Sequence, residues 1–228
     1  MEKELRYLDN SEIRANAESR DVDGYAMLFN TLSRNLGGFY ERIEPQAVEG
    51  VIEQSDVMAV LNHDNSRGIL ARSRFGNGSL TLSADEKGLR YTFSAPHTAL
   101  GDECLEYLRR GDITQSSFAF TVAEDAWAKQ EDGSYIRTIK KFDRLYDVSP
   151  VFEPAYFGTN VSCRSFEEFK AEEERKEAEA KAEAERLEQE KREAEEAEKK
   201  AKLDEYYSKL RAEFEEVLKR DEKEKAGN

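Results

Sequence analysis

Between residues 159 and 226 the chain carries neither proline nor glycine. Nothing else in the sequence limits the fold so strongly. Residues 166–202 consist almost wholly of Ala, Glu, Lys and Arg, which stand at the top of the helix-propensity scale. Acids and bases recur four residues apart, as Glu188 and Arg192 do. Each such pair adds roughly 0.2–0.5 kcal/mol to an exposed helix. A long, charged C-terminal helix is therefore expected. Its apolar face is thin until Leu203, Tyr207, Leu210, Phe214 and Val217, which step by 4, 3, 4 and 3. That is a heptad seam of about two heptads. Two readings stay open for it: a solvated single helix, or a short coiled-coil or partner-docking segment over residues 203–218.

The tail also accounts for the charge. Residues 165–228 hold 23 acids and 16 bases, which leaves 26 and 19 for residues 1–164. The first part thus has the make-up of an ordinary globular domain and is long enough to bury a core. Two domains are expected, 1–164 and 165–228. The net charge of −14 repels phosphate backbones and anionic membrane surfaces, so neither nucleic acid nor membrane is expected as a partner. No apolar run approaches the roughly 20 residues that span a bilayer. The first ten residues lack the apolar core of a secretory signal. With only Cys104 and Cys163, a reduced setting without a disulfide is expected. Neither cysteine belongs to a metal-binding spacing, so no metal or cofactor is expected.

Within the first domain the pattern is one of short strands. Residues 21–30, 39–43, 57–61, 80–83, 89–94, 116–122 and 138–146 read as strands by residue type or alternation, the last running on through 147–151. Asp85-Glu86-Lys87-Gly88 supplies a hairpin turn between the fourth and fifth of these. Residues 1–20 are expected to fray or to form an edge strand. Residues 44–53 read as a short helix, and residues 127–134 as a loop. Residues 100–110 place Leu100, Cys104, Leu105 and Leu108 at helical spacing, and Gly111 is a stop residue. Pro154 and Gly158 close the domain. With no β-α-β alternation, the expected class is α+β with a barrel-like β-rich core.

Candidates for chemistry are few. The chain has two histidines, His63 and His97. His63 follows an apolar strand directly and sits in the polar turn Asn62-His63-Asp64-Asn65, where an imidazole reaches the rim of a sheet. His97 sits in a loop before a helix. Ser116 and Ser117 open an aromatic strand just after the Gly111 stop. If Phe118 and Phe120 face the core, alternation turns Ser117 and Ala119 to the other face. A serine beside an imidazole is the pairing that nucleophilic catalysis needs, but a histidine taken alone is more often a surface or satisfied structural residue, and two serines at a strand start can merely satisfy backbone groups.

The order of several segments carries a resemblance. They are Gly24-Tyr25-Ala26 through Phe29-Asn30, Phe39-Tyr40-Glu41-Arg42-Ile43-Glu44-Pro45, Leu61-Asn62-His63-Asp64, residues 105–120 with Gly111 and Ser117-Phe118, Leu145-Tyr146-Asp147-Val148-Ser149, and Pro154-Ala155. Over residues 20–164 the chain resembles the HK97-type phage prohead proteases, the serine peptidases of capsid maturation. The resemblance implies that His63 is the general base and Ser117 the nucleophile, with Ser116 a rival. It also implies that Asp147 occupies the acidic position that orients the base, where the family usually has Glu. Pro150 and Glu153 depart from the family pattern, and His97 has no counterpart in it. The implied fold is a β-barrel of the herpesvirus-protease type. The implied substrates are the major capsid protein or its scaffold, and the chain itself, inside the assembling prohead in the bacterial cytoplasm. Self-association is a further expectation. An inactive assembly or scaffolding protein with a protease-like domain, and a cytosolic peptidase unrelated to assembly, are the competing readings.

Overall fold

A computed structural model describes residues 2–8, 11–152 and 160–226, except for the side chains of 160–162, 214 and 216–226. The chain divides into two compact units, Met1–Phe169 and Lys170–Asn228.

The first unit opens with β1 (Glu4–Leu8), β2 (Arg14–Ala15), β3 (Asp21–Leu28) and β4 (Tyr40–Ile43). The helix expected over residues 44–53 is broken in two. A 3-10 turn covers Pro45–Val48 and α1 covers Val51–Gln54. Gly50 separates them with φ of 69°, a left-handed conformation that glycine adopts without steric cost. Next come β5 (Asp56–Ala59), β6 (Ala71–Arg74) and β7 (Asn77–Gly78). The last two were not anticipated, because a polar Arg-Ser-Arg stretch carries no apolar alternation. The expected hairpin forms from β8 (Leu80–Ala84) and β9 (Gly88–Ser94). At its turn the Asp85 carboxylate accepts from the Lys87 and Gly88 amides at 2.8 and 2.9 Å. Helix α2 (Ala99–Arg110) starts on a Thr98 cap and stops at Gly111, whose φ is 78°. The longest strands follow, β10 (Gln115–Lys129) and β11 (Tyr135–Val151).

These strands make two sheets. One has the order β1-β10-β11-β5-β6-β7, with β4 also on β11; the other runs β2-β3-β9-β8. The implied closed barrel is therefore not present among the described residues. Closure needs one continuous ladder, and the two-residue β7 ends the first sheet. The core fills the space between the sheets with Val22, Leu80 and Tyr91 from one side and Val57, Phe118, Phe120 and Val148 from the other. Cys104, Leu105 and Leu108 of α2 join the same cluster. Each large apolar side chain buried this way is worth about 1.5–3 kcal/mol.

The β10–β11 hairpin organises the unit. The early half of β11 holds β4 in parallel over Ile136 to Ile139, and the late half of β11 holds β5 in parallel at Asp147 and Val148. The loop expected over residues 127–134 shrinks to residues 130–134, because Trp127 stays in β10 to pack. It stacks on Phe166 and Phe169 at 5.6 and 5.7 Å, and Leu36, Phe39 and Tyr135 join this second cluster. The two phenylalanines belong to α3 (Asn160–Ala226), whose first turns thereby stay with the first unit.

Strand β1 is held by a buried ionic cluster. Arg6 donates from Nε and Nη2 to the two oxygens of Glu41, both at 2.7 Å, and again from Nη2 to Glu4 at 2.7 Å. Arg137 of β11 reaches Glu4 and Glu41 at 2.8 and 3.2 Å and Asp125 at 2.5 Å. Burial drives the Arg6 guanidinium down, but the facing Glu41 and Glu4 carboxylates outweigh it and hold its pKa above the ordinary value. β1 is thus tied to β4 and β11 by charge as well as by its ladder on β10.

The second unit is helix throughout its described part. Its described side chains are largely exposed, and the helix carries ion pairs of the expected spacing. Arg192 donates to Glu188 at 2.7 Å, and Lys202 and Lys209 meet Glu198 and Glu205 at 2.7 and 2.8 Å. Leu203, Tyr206, Tyr207 and Leu210 are all exposed. The rest of the seam, Phe214 and Val217, lies outside the described side chains.

Candidate active site

Three of the polar groups at the site come from one hairpin. In the β10–β11 ladder Ser117 stands opposite Ser149, and Ala119 opposite Asp147. Alternation along each strand puts Ser117, Ser149 and Asp147 on a single face. Phe118 and Phe120 point the other way, into the core, stacked at 5.1 Å. Ala119 keeps the space before Asp147 free of a bulky side chain.

His63 reaches this face by a reversal of the chain. Strand β5 lies beside β11 with Met58 opposite Asp147. After the buried Val60 and Leu61, Asn62 and His63 both take left-handed backbone angles, with φ of 58° and 59°. A non-glycine residue pays roughly 1–2 kcal/mol for that conformation. The turn is pinned on both sides. The Asn62 amide donates to the Pro150 carbonyl at 2.9 Å, and the Ser66 amide donates to the Asp64 carboxylate at 2.9 Å. Two successive left-handed residues fold the imidazole back over the end of β5 toward β11.

The imidazole bridges acid and hydroxyl. His63 Nδ1 lies 2.5 Å from Asp147 Oδ1, and Nε2 lies 2.5 Å from Ser117 Oγ. A carboxylate only accepts, so Nδ1 carries the proton and Nε2 is left to accept from the serine hydroxyl. The Arg6 carbonyl, 2.8 Å from Ser117 Oγ, is an alternative acceptor for that single hydroxyl proton. Ser117 is fully buried, and the His63 side chain is 16% exposed.

Asp147 is surrounded by donors. Besides His63, the Ser149 hydroxyl donates to Oδ1 at 2.8 Å and the Lys3 ammonium to Oδ2 at 3.0 Å. Burial pushes its pKa up more than any other single effect. The His63 hydrogen bond, followed by the His63 and Lys3 charges and the Ser149 hydroxyl, outweighs it and holds the carboxyl below the usual range. Tyr7, opposite Ser117 on β1, places its ring edge-on to the His63 ring at 6.0 Å. Burial raises the Tyr7 phenol, and the neighbouring Ser117 hydroxyl partly offsets this.

The structure therefore brings His63, Ser117 and Asp147 together. Ser116 is on the opposite face, where its hydroxyl meets that of the buried Tyr91 at 2.8 Å. His97 is exposed ahead of α2. Pro150 leaves β11 unbroken through Val151; Glu153, Pro154, Ala155 and Gly158 lie outside the described residues. Sequence reasoning missed Lys3, Arg6, Tyr7 and the hydroxyl of Ser149. Ser149 had a signal, its two-residue offset from Asp147 in a strand. Lys3 and Tyr7 had none, since they come to the site from more than 100 residues away in sequence. Among the described residues no group of three or more His, Cys, Asp or Glu side chains could hold a metal ion. An acid, an imidazole and a serine in series are the parts that acyl transfer requires.

One comparison with known proteins, a family model, bears on this chain. The family model described as caudovirus prohead serine protease matches residues 8–172. No curated protein matches the chain. Among solved structures, the bacteriophage T4 capsid assembly protease aligns at 11% identity and a TM-score of 0.41, over 68% of this chain and 100% of that one. That likeness is too distant to bear on individual residues. The family model spans well over half of the chain, including every residue of the His63, Ser117 and Asp147 series. The chain belongs to the caudovirus prohead serine protease family.

Proposed function

We propose that this chain is a serine endopeptidase of capsid maturation in which Ser117 is the nucleophile, His63 the general base and Asp147 the group that orients and stabilises the imidazole. The observation that carries this is the imidazole bridging Asp147 and Ser117 with 2.5 Å on either side. Ser117 Oγ attacks the scissile carbonyl as its proton passes to His63 Nε2, giving a tetrahedral intermediate and an imidazolium paired with Asp147. The imidazolium then passes that proton to the amine as the C–N bond breaks, so the amine leaves and the acyl-enzyme remains. Water, deprotonated by the same nitrogen, releases the acyl group. The His63 turn is tied to β11, the strand of Asp147, by the Asn62–Pro150 hydrogen bond, which helps keep base and acid in register.

Family membership supports the substrate class: the major capsid protein or its scaffolding segment, and the chain itself, within the assembling prohead in the host cytoplasm. A relation to the herpesvirus-protease architecture belongs to the same proposal. So does docking of the tail among scaffold helices, for which the exposed Leu203, Tyr207 and Leu210 are the motive.

The test is co-expression of the chain with its capsid protein, with cleavage read by mass. Ser117→Ala is expected to abolish processing and Ser116→Ala to retain it. Intact processing by Ser117→Ala would sink the assignment. A wild-type chain that assembles shells without cleaving anything would instead mark it as an inactive assembly protein.

A further inference from the structure

Ser149 is a buried hydroxyl that the acid–base–nucleophile series does not use. It is fully buried on β11, directly across the ladder from Ser117. Its Oγ donates to Asp147 Oδ1 at 2.8 Å and lies 3.3 Å from His63 Nδ1. A hydroxyl has one proton, and here the carboxylate takes it. What Ser149 then turns toward His63 Nδ1 is a lone pair. An unprotonated Nδ1 would face two lone pairs, from Asp147 Oδ1 and Ser149 Oγ. A protonated Nδ1 satisfies both. Ser149 therefore acts on the ring through the same atom as Asp147 and with the same preference.

Among the described residues, two donors hold the Asp147 carboxylate besides His63, and they differ in kind. The Lys3 side chain is 49% exposed. Its contact is screened by water and costs the entropy of a long side chain, so it is worth little. Ser149 is buried, short and fixed by a strand, and its partner is charged. Hydrogen bonds of that type are among the stronger ones in proteins.

Resting on the peptidase reading above, we infer that Ser149 is a positioning residue for catalysis: it fixes the Asp147 carboxylate and, with it, the Nδ1–H tautomer of His63 that leaves Nε2 free to accept the Ser117 proton. Ser149 touches neither substrate nor the reacting atoms. Its loss is read in turnover and not in substrate affinity.

The experiment uses the full chain and a fluorogenic peptide spanning the junction that the mass measurement identifies. Ser149→Ala removes the hydroxyl. Ser149→Cys keeps the volume but supplies only a weak donor. Both are expected to lower kcat by roughly tenfold to hundredfold, the range of a lost hydrogen bond to a charged group, with KM within about twofold. The low-field proton resonance of His63 Nδ1–H is expected to move in both variants while the melting temperature of the Cys form stays near that of wild type. A Cys form with wild-type kcat and an unmoved resonance, beside an inert Ser117→Ala control, overturns the role of Ser149 and leaves the peptidase reading standing. A wild-type chain that does not cleave the peptide overturns the peptidase reading instead. The resonance then still decides whether Ser149 sets the state of the ring.

Discussion

Replacing Asp147 by Asn separates the charge of the acid from its shape. The side chain keeps its size, and its surroundings allow two orientations. With the amide oxygen toward His63, that oxygen still accepts from Nδ1–H and from Ser149, while the amide NH2 faces the Lys3 ammonium. With the amide reversed, the NH2 confronts both Nδ1–H and the Ser149 hydroxyl proton. That would drive the His63 proton to Nε2, where it blocks acceptance from Ser117. Lys3 is half-exposed and can turn to water, so the first orientation is cheaper. The tautomer then survives and the loss is mainly electrostatic. A charge pair at about 4 Å in an effective dielectric of roughly 20 is worth about 4 kcal/mol, close to a thousandfold in rate. Turnover of the junction peptide by Asp147→Asn should therefore fall about a thousandfold with little change in KM. Loss of the tautomer as well would take it toward ten-thousandfold. The melting temperature at neutral pH should fall modestly, because the carboxylate's net favourable charge interactions are lost, while the fold persists because its space stays filled. A folded Asp147→Asn enzyme within tenfold of the wild-type kcat would refute the assignment of Asp147.

Three further outcomes are expected. Because its pKa is held below the ordinary value, the Asp147 carboxyl contributes stability that is present above the unfolded pKa of about 3.9 and is lost as pH falls through the folded value; urea unfolding between pH 2 and 5 should show a shallower acid loss in Asp147→Asn than in wild type, and parallel curves would contradict this. Arg6→Ala should cost about 3–5 kcal/mol in denaturant unfolding, since it strips Glu4 and Glu41 of a buried partner; a loss under 1 kcal/mol would mean that water enters the cluster. Phe166→Ala should cost about 2–4 kcal/mol and shift the emission of Trp127 to the red, as its stacked ring is replaced by solvent; this is readable because Trp127 is the chain's single tryptophan, and an unshifted spectrum would show that α3 does not dock there.

How much of this could be read beforehand depended on whether the cause was local. The α2 helix, the β8–β9 hairpin and the charged tail each follow from residue type and spacing within a dozen positions, and they appear where those signals lie. The facing of Ser117 was legible for the same reason: strand alternation against Phe118 and Phe120 needs no knowledge of partners. The extent of β10 was not, because Trp127 stays in the strand through contacts with Phe39, Phe166 and Phe169, which come from distant segments. The missing barrel closure has a similar origin, since ladders between strands far apart in sequence decide it. At the site, His63 was conspicuous because histidine is scarce. Ser149 was hidden because serine is common, and Lys3 because a lysine near the chain's beginning has no sequence link to residue 147. The family resemblance named Asp147 as the acid, but only the β10–β11 register explains why an aspartate there shares a face with Ser117.

The site's division between one hairpin and one distant turn has a consequence for how the chain matures on its folding pathway. Ser117, Asp147 and Ser149 share the β10–β11 hairpin, whose two strands are joined by a short turn and can pair early, since contacts close in sequence form first. His63 arrives from 54 residues before the serine, and only once β5 has zipped onto the late half of β11. A half-folded chain thus owns a hydroxyl and an acid with no base between them. On the proposed mechanism, hydrolytic competence would come only with the long-range pairing, and a copy lacking it would carry the nucleophile without its base.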